Sequence, residues 1–345
     1  MGREHQTFQM RLEIGAEPEH LLALPECVAR GADGALPLLA GRPVVLTGCG
    51  TSLYAAQLAS DYIAQCGGDV PAVSARTLLE RAGGLPRERT IVAFSHSGGT
   101  PAVLDLLLKA RKQSVSTVVV TGFPESEAAS LATAVVSTGY AQELSWCHTI
   151  SFSLSSLTGL LLLEASAAGG LPADLPLPRP AQVSTAVEQI LAREDVIRTA
   201  AAAVHLGTTF VLSSGEVQAL ATETGLKLAE AAYLPNQPLE LEQFFHGYIP
   251  ATDNESTVIA VLPPSARTRA ADLRQVASVV GFHLLALDLP TLQRLAPATD
   301  AESFPWAAAA YLQLFAYHVA LRRGTDPDRL RRENPVYLAA RKAYR

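Results

Sequence analysis

Lysine is scarce in this chain, four of 345 residues at positions 109, 112, 227 and 342, so a lysine set among other chemistry-bearing groups stands out. Cysteine is equally scarce, at 27, 49, 66 and 147. No two cysteines form a CxxC pair or a short paired spacing, a pattern that argues against a zinc knot or a disulfide framework. Charged residues make up only 17% against 48% hydrophobic, which excludes a disordered chain and indicates well-filled interiors. No apolar run approaches the roughly 20 residues that a membrane span needs. The greasiest stretch, 157–169, is broken by Thr158, Glu164 and Ser166. With a net charge of −6 and basic residues scattered except for Arg322, Arg323, Arg329, Arg331 and Arg332, the footprint for nucleic acid is weak. The N-terminus has charges where a secretory signal has an apolar core. These absences lead to the expectation of a cytoplasmic protein without nucleic-acid or membrane partners.

The length suggests about two domains, and the chain carries two copies of one rhythm. Short β-branched runs end in small polar residues and lead into helical segments, the pattern of parallel α/β folds. In the first half the strands start at Pro43, Thr90 and Ser116; in the second half they start at Thr208, Ser256 and Phe282. The step from loop residue Ser52 to Ser95 is 43 residues and that from Ser213 to Pro263 is 50, a match within ordinary loop insertion. A Pro-, Gly- and Ala-rich stretch from Gly169 reads as a linker. The expected organisation is an N-terminal helical segment over 1–35, a first α/β domain over 36–168, a linker and helix over 169–195, a second α/β domain over 196–324 and a tail over 325–345. The nearly all-apolar segment from Trp306 to Arg323 is expected to pack on the second sheet or on a partner subunit.

Open parallel sheets bind ligands at the carboxyl ends of their strands, where loop amides and helix N-termini meet anions. Two loops of the first half suit that task. Cys49, Gly50, Thr51 and Ser52 offer close backbone approach and two hydroxyls. Ser95, His96, Ser97, Gly98, Gly99 and Thr100 offer three hydroxyls and two glycines before Pro101, a composition that suits a phosphate monoester. Either loop alone could be an ordinary helix cap. The matching loops of the second half lack this density, and one carries Glu216, so phosphate is expected only in the first half.

The second half instead has Glu223, Lys227 and Glu230 at i, i+4 and i+7, on one helical face. A surface salt-bridge ladder is the ordinary reading; the rarity of lysine and the apolar flanks Leu220, Leu226 and Leu228 oppose it. A Pro-rich irregular loop follows from Leu234 and contains His246. A lone histidine is more often structural than catalytic.

At these residues the sequence resembles the sugar isomerase (SIS) family, in its double-SIS form similar to the isomerase half of glucosamine-6-phosphate synthase. The resemblance runs from about residue 10 to 333, through the segment from Met10, the loops at Gly48 and Ser95, the segment from Glu143 to Phe152, the helix from Glu223, Tyr233 and His246-Gly247. It implies two tandem SIS domains, each a flavodoxin-like three-layer αβα sandwich with a parallel sheet. It further implies a homodimer and a small-molecule sugar phosphate held between the halves, with no metal and no cofactor. By the resemblance, Ser95, His96, Ser97 and Thr100 bind phosphate, and Cys49, Gly50, Thr51 and Ser52 line the sugar. Glu230 shuttles a proton between C1 and C2, Lys227 supports it, and His246, from this or a neighbouring subunit, opens the ring. Three departures stand out. His96 replaces a frequent glutamine, and Trp146 and His148 replace small residues, which reshapes the sugar pocket. Arg332 lies near the position of a functional family lysine and cannot form a Schiff base; Lys342 lies ten residues further on. Only some 40 residues precede the first strand, beginning Met1-Gly2, so glutamine-driven amination is not expected.

The expected function is a phosphosugar isomerase acting on a hexose or amino-hexose 6-phosphate by C1–C2 proton transfer, with or without loss of ammonia. The alternative is a non-catalytic phosphosugar-binding regulator. Such regulators usually carry a fused DNA-binding domain, for which the first 35 residues are too short and too acidic.

Overall fold

A computed structural model describes residues 7–167 and 176–343. The chain forms two compact units, one of Glu19–Gln142 with Ser151–Ala181, the other of Met1–Pro18, Glu143–Ile150 and Gln182–Arg345. The expected linker at 169–175 lies outside the described residues; residues 176–179 are irregular and a helix starts at Pro180.

The first unit follows from helix α1 (Gln9–Leu39), which enters it at Glu19. Then come β1 (Val44–Gly48), α2 (Thr51–Gln65), β2 (Ala72–Ser74), α3 (Ala75–Leu79), β3 (Thr90–Phe94), α4 (Pro101–Lys112), β4 (Thr117–Thr121), α5 (Glu127–Leu131), β5 (Ala134–Ser137) and α6 (Ile150–Ser166). All strand pairs are parallel, in the order β2-β1-β3-β4-β5. The strands β1, β3 and β4 are buried along their whole length, because helices cover both faces of the sheet. Val45, Ile91, Ala93 and Val119 pack with Leu78 of α3 and with Val103, Leu106 and Leu107 of α4. On the other face α6 comes so close that a Cβ on Gly159 would lie 2.8 Å from the Phe94 ring.

The second unit contains α7 (Pro180–Leu191), α8 (Glu194–Ala203), β6 (Thr209–Ser213), α9 (Gln218–Ala231), β7 (Gln237–Glu240), α10 (Leu241–Gln243), β8 (Thr257–Leu262), α11 (Arg267–Val280), β9 (His283–Asp288), α12 (Leu289–Leu295), α13 (Phe304–Arg323) and α14 (Pro335–Ala343). Its parallel sheet runs β7-β6-β8-β9, the order of the first four strands of the other sheet. Phe210, Leu212, Val258 and Ala260 pack with Leu273 of α11 and with an aromatic group of Phe244 and Phe282. Helix α13 is buried on every side from Phe304 to Ala320 and packs on α8 and α9. Among the described residues no helix is long and apolar enough to cross a membrane.

Each half has its three expected strands, and the short strands β2, β5 and β7 are additions. The segment expected as an irregular Pro-rich loop contains β7. Pro238 pairs there with Val211, which an edge strand tolerates because one side of its backbone needs no partner. Both sheets are flanked by helices, and the chain is an α/β sandwich protein.

Candidate active site

In the first sheet the strand order reverses between β1 and β3, the point at which parallel sheets open a crevice at their carboxyl ends. The loops after those strands are the two that the sequence singles out. Gly50, with φ 55°, precedes α2, and no side chain caps that helix. Cys49 is half-buried; burial raises its thiol pKa, against a lowering by a hydrogen bond from the Ala75 amide. After β3, Ser95 and His96 are buried while Ser97 is exposed. The Ser95 hydroxyl has no hydrogen-bond partner among the described residues. Thr100 stands at the N-cap of α4 with its hydroxyl not engaged as a cap, and Pro101 opens the helix. Gly98 has φ 64°, and a Cβ there would collide with the Ser126 side chain. Ser97, Gly98, Gly99 and Ser126, with Glu125 and Glu127 also on its walls, line a cleft of about 330 Å³. A helix N-terminus with hydroxyls and glycine amides is an anion cradle. His96 sits beneath it, edge-on to Phe123 at 5.6 Å.

The second sheet reverses between β6 and β8, but there Ser265 donates a hydrogen bond of 2.8 Å to the Glu216 carboxylate. The loops after β6 and β8 are thus tied to each other by their own side chains.

Helix α9 carries Glu223, Lys227 and Glu230. Gly225 lets the edge strand approach: a Cβ there would lie 2.5 Å from Pro238, and Asn236 donates to the Gly225 carbonyl at 2.9 Å. The helix is thereby sunk into the unit, and its charged face is no surface ladder. Lys227 is 1% exposed, 2.8 Å from Glu230 and 3.5 Å from Glu223. Burial alone depresses a lysine; here the pull of Glu223, Glu230 and Cys147 outweighs it, so Lys227 is held above its ordinary pKa and stays protonated. Cys147 lies in the same interior, and burial raises its thiol pKa more than the Lys227 charge lowers it.

Glu230 is the partly exposed member and lines a cleft of about 410 Å³ with Tyr233, Pro235, Leu330, Arg331, Tyr337 and Arg341. The other expected site residues of this unit lie elsewhere. Trp146 is 50% exposed, with the Arg332 guanidinium 3.2 Å above its ring. His148 stands 3.9 Å from the buried Glu143 carboxylate. His246, in a π-helical turn over Phe244–Tyr248, is 78% exposed and 3.7 Å from Glu242. Lys342 is exposed on α14. None of these residues lines the Glu230 cleft. Tyr233 marks the resemblance without a role, Arg331 stands out in the sequence only as one of the C-terminal cluster of basic residues, and Arg341 carries no signal beyond the arginine-rich tail.

Residues 40–165 match the family model described as "SIS domain". The glutamine–fructose-6-phosphate aminotransferase of Methanothermobacter thermautotrophicus is 29% identical over 302 residues, covering 83% of this chain and 50% of the relative. That of Aeropyrum pernix is 27% identical over 312 residues, covering 85% and 50%. The chain thus spans about half the length of the curated relatives it matches. Among solved structures, the C-terminal domain of the Francisella tularensis glucosamine-fructose-6-phosphate aminotransferase superposes with a TM-score of 0.78 at 22% identity, covering 95% of this chain and 99% of the other. The Thermotoga maritima glucosamine-6-phosphate deaminase gives 0.75 at 18%, covering 93% and 97%. At these identities the structural likeness establishes the fold alone. The part of the chain that matches the SIS domain family, residues 40–165, is built on the first of its two parallel sheets.

Proposed function

We propose that this protein is a phosphosugar isomerase that moves a proton between C1 and C2 of a hexose or amino-hexose 6-phosphate. The carrying observation is Glu230, ion-paired to a fully buried lysine and opening on a cleft. Aldose–ketose conversion takes a proton from one carbon and returns one to its neighbour through an enediol or enolamine. A single carboxylate beside both carbons serves as base and then as acid. Lys227 fixes that carboxylate and supplies positive charge beside the developing negative oxygen. The anion cradle of Ser95, Ser97 and Thr100 is assigned to the phosphate, and the Cys49–Ser52 loop to the sugar. His246, exposed as it is, serves as ring-opening group in a second copy within a homodimer. With an amino group at C2 the ketose is reached through an imine whose hydrolysis releases ammonia.

Proton NMR in heavy water with glucosamine 6-phosphate and neighbouring hexose phosphates tests this. Exchange at C1 or C2 with a ketose appearing is the expected result, and Glu230→Gln should slow it by roughly 10²- to 10⁴-fold. Binding without exchange across the panel would favour the phosphosugar-binding regulator, and undiminished exchange in Glu230→Gln would remove that residue from the chemistry.

A further inference from the structure

The two sheets share one strand order up to the fourth place and part there. In the first sheet β4 is followed by β5, and β4 is buried along its whole length. Its counterpart β9 ends the second sheet, and five of its six residues are partly exposed. Yet β9 has the composition of a covered strand, with Leu284, Leu285, Ala286 and Leu287 in succession. Edge strands are ordinarily kept short, or carry proline or charge, so that they refuse a further strand. Here β2 has three residues, β5 has four, and β7 has four including Pro238. β9 is longer than any of these, and its one carboxylate, Asp288 at the last position, is engaged by Arg274 and by the Thr291 amide.

The outer side of β9 presents open backbone. The His283 amide donates to the carbonyl of Ser256, the residue before β8. Alternation along a parallel strand then turns the amides and carbonyls of His283, Leu285 and Leu287 towards β8 and those of Leu284 and Ala286 away from it. Among the described residues, no strand or side chain bonds to Leu284 or Ala286 from that outer side. Unpaired peptide groups beside partly exposed leucines are a template for one more strand.

We propose that β9 pairs antiparallel with β9 of a second copy of this chain, about a twofold axis at Leu285, so that the two four-stranded sheets become one continuous sheet. The contact is isologous: the same edge serves both copies, and pairing closes it. Its register follows from geometry. Directly opposite residues of an antiparallel pair share a face of the sheet, and a twofold axis normal to the sheet satisfies this only when it passes at a residue and not between two. Leu285 and Ala286 are the two residues at the middle of the strand. An axis at Ala286 would set Leu284 against the charged Asp288. An axis at Leu285 sets Leu284 against Ala286 and Leu285 against itself, apolar against apolar. The same axis also matches the backbone. Leu284 and Ala286, whose peptide groups face outward, become hydrogen-bonded partners, and Leu285, whose groups face β8, forms the pair that needs no bonds between the copies.

Two variants of the full chain test the pairing. In Leu285→Cys the two introduced thiols would face each other across the axis, with Cα atoms about 4.5 Å apart as in any non-hydrogen-bonded antiparallel pair, which is within reach of a disulfide. Mild oxidation should give a covalent dimer on a non-reducing gel, while the wild type and Leu284→Cys, whose thiols would be out of register, should stay uncross-linked. In Ala286→Pro the lost N–H is one that faces outward, so the pairing with β8 is kept. Sedimentation equilibrium should show the wild-type assembly mass halved in this variant, with the circular dichroism unchanged. A monomeric wild type, an unchanged mass in a folded Ala286→Pro, or no cross-link in Leu285→Cys would overturn the inference. Should Ala286→Pro fail to fold, the cross-link decides by itself.

Discussion

Lys227 pairs with the buried Glu223 and the partly exposed Glu230, and its removal leaves charge without compensation. Lys227→Met should lower stability by roughly 3–5 kcal/mol, the scale for breaking a buried pair. Adding Glu223→Gln should recover part of that loss in denaturant unfolding, and no recovery would mean that Lys227 contributes volume and not charge. The scarcity of lysine and the i, i+4, i+7 spacing made this face legible in the sequence. Its burial was not, because apolar residues lie all round the helix and only the approach of β7 at Gly225 and the packing of α13 decide which side is covered. Arg331 and Arg332 show the same limit at finer grain. Neighbours in sequence, one faces the Glu230 cleft and the other caps Trp146, a divergence that accompanies positive φ at 330 and 331 and leaves no trace in composition.

Among the elements, α1, α8 and α13 are joined by one polar knot. Glu194, in the first turn of α8, accepts from Arg11 Nη2 at 2.6 Å and lies 3.0 Å from His318 Nε2. The hydrogen bond with His318 lowers the Glu194 pKa to about 2, helped by Arg11 and opposed by burial. A carboxylate with a depressed folded pKa contributes stability that is present above its ordinary value of 4.5 and lost as pH falls towards 2. Solvent screening of the half-buried pair leaves a contribution on the order of 1–2 kcal/mol. Urea unfolding at pH 7 should therefore show Glu194→Gln weaker than wild type, the gap narrowing below pH 4.5. A constant gap would assign the effect to geometry. The sequence showed α13 as an apolar segment; it did not show His318 buried within it, because the partner lies 124 residues away.

Across the whole molecule the chain leaves each compact unit and returns. The stretch Glu143–Ile150, expected to belong with the first domain, is part of the unit that holds α9. Carboxylates tie it down: Glu13 accepts from the Leu144 and Ser145 amides, and Glu143 accepts from the Thr149 amide at 2.5 Å. Burial raises the Glu13 pKa to about 7, more than those amides lower it, and Glu143 adds to the rise. The unfolded chain then gives up this proton at lower pH than the folded one. Stability should fall as pH rises from 4.5 through about 7 and level off beyond. Glu13→Gln keeps an oxygen for the amides and removes the titration. It should match wild type near pH 4 and exceed it at pH 8 by on the order of 3 kcal/mol. Denaturant midpoints across that range check this, and parallel curves for the two proteins would refute it.

By itself the sequence determined the parallel α/β architecture and both sets of strand-end loops, because buried strands and helix-starting loops are written in local composition and periodicity. It also determined the triad on α9, since helical spacing is local. Tertiary structure alone decided that Glu223 and Lys227 are buried while Glu230 opens on a cleft, that Glu216 is bonded to Ser265, and which arginines of the tail line the cleft with Glu230. Each of those depends on contacts between residues far apart in the chain or on backbone angles, and neither leaves a periodic mark in the sequence.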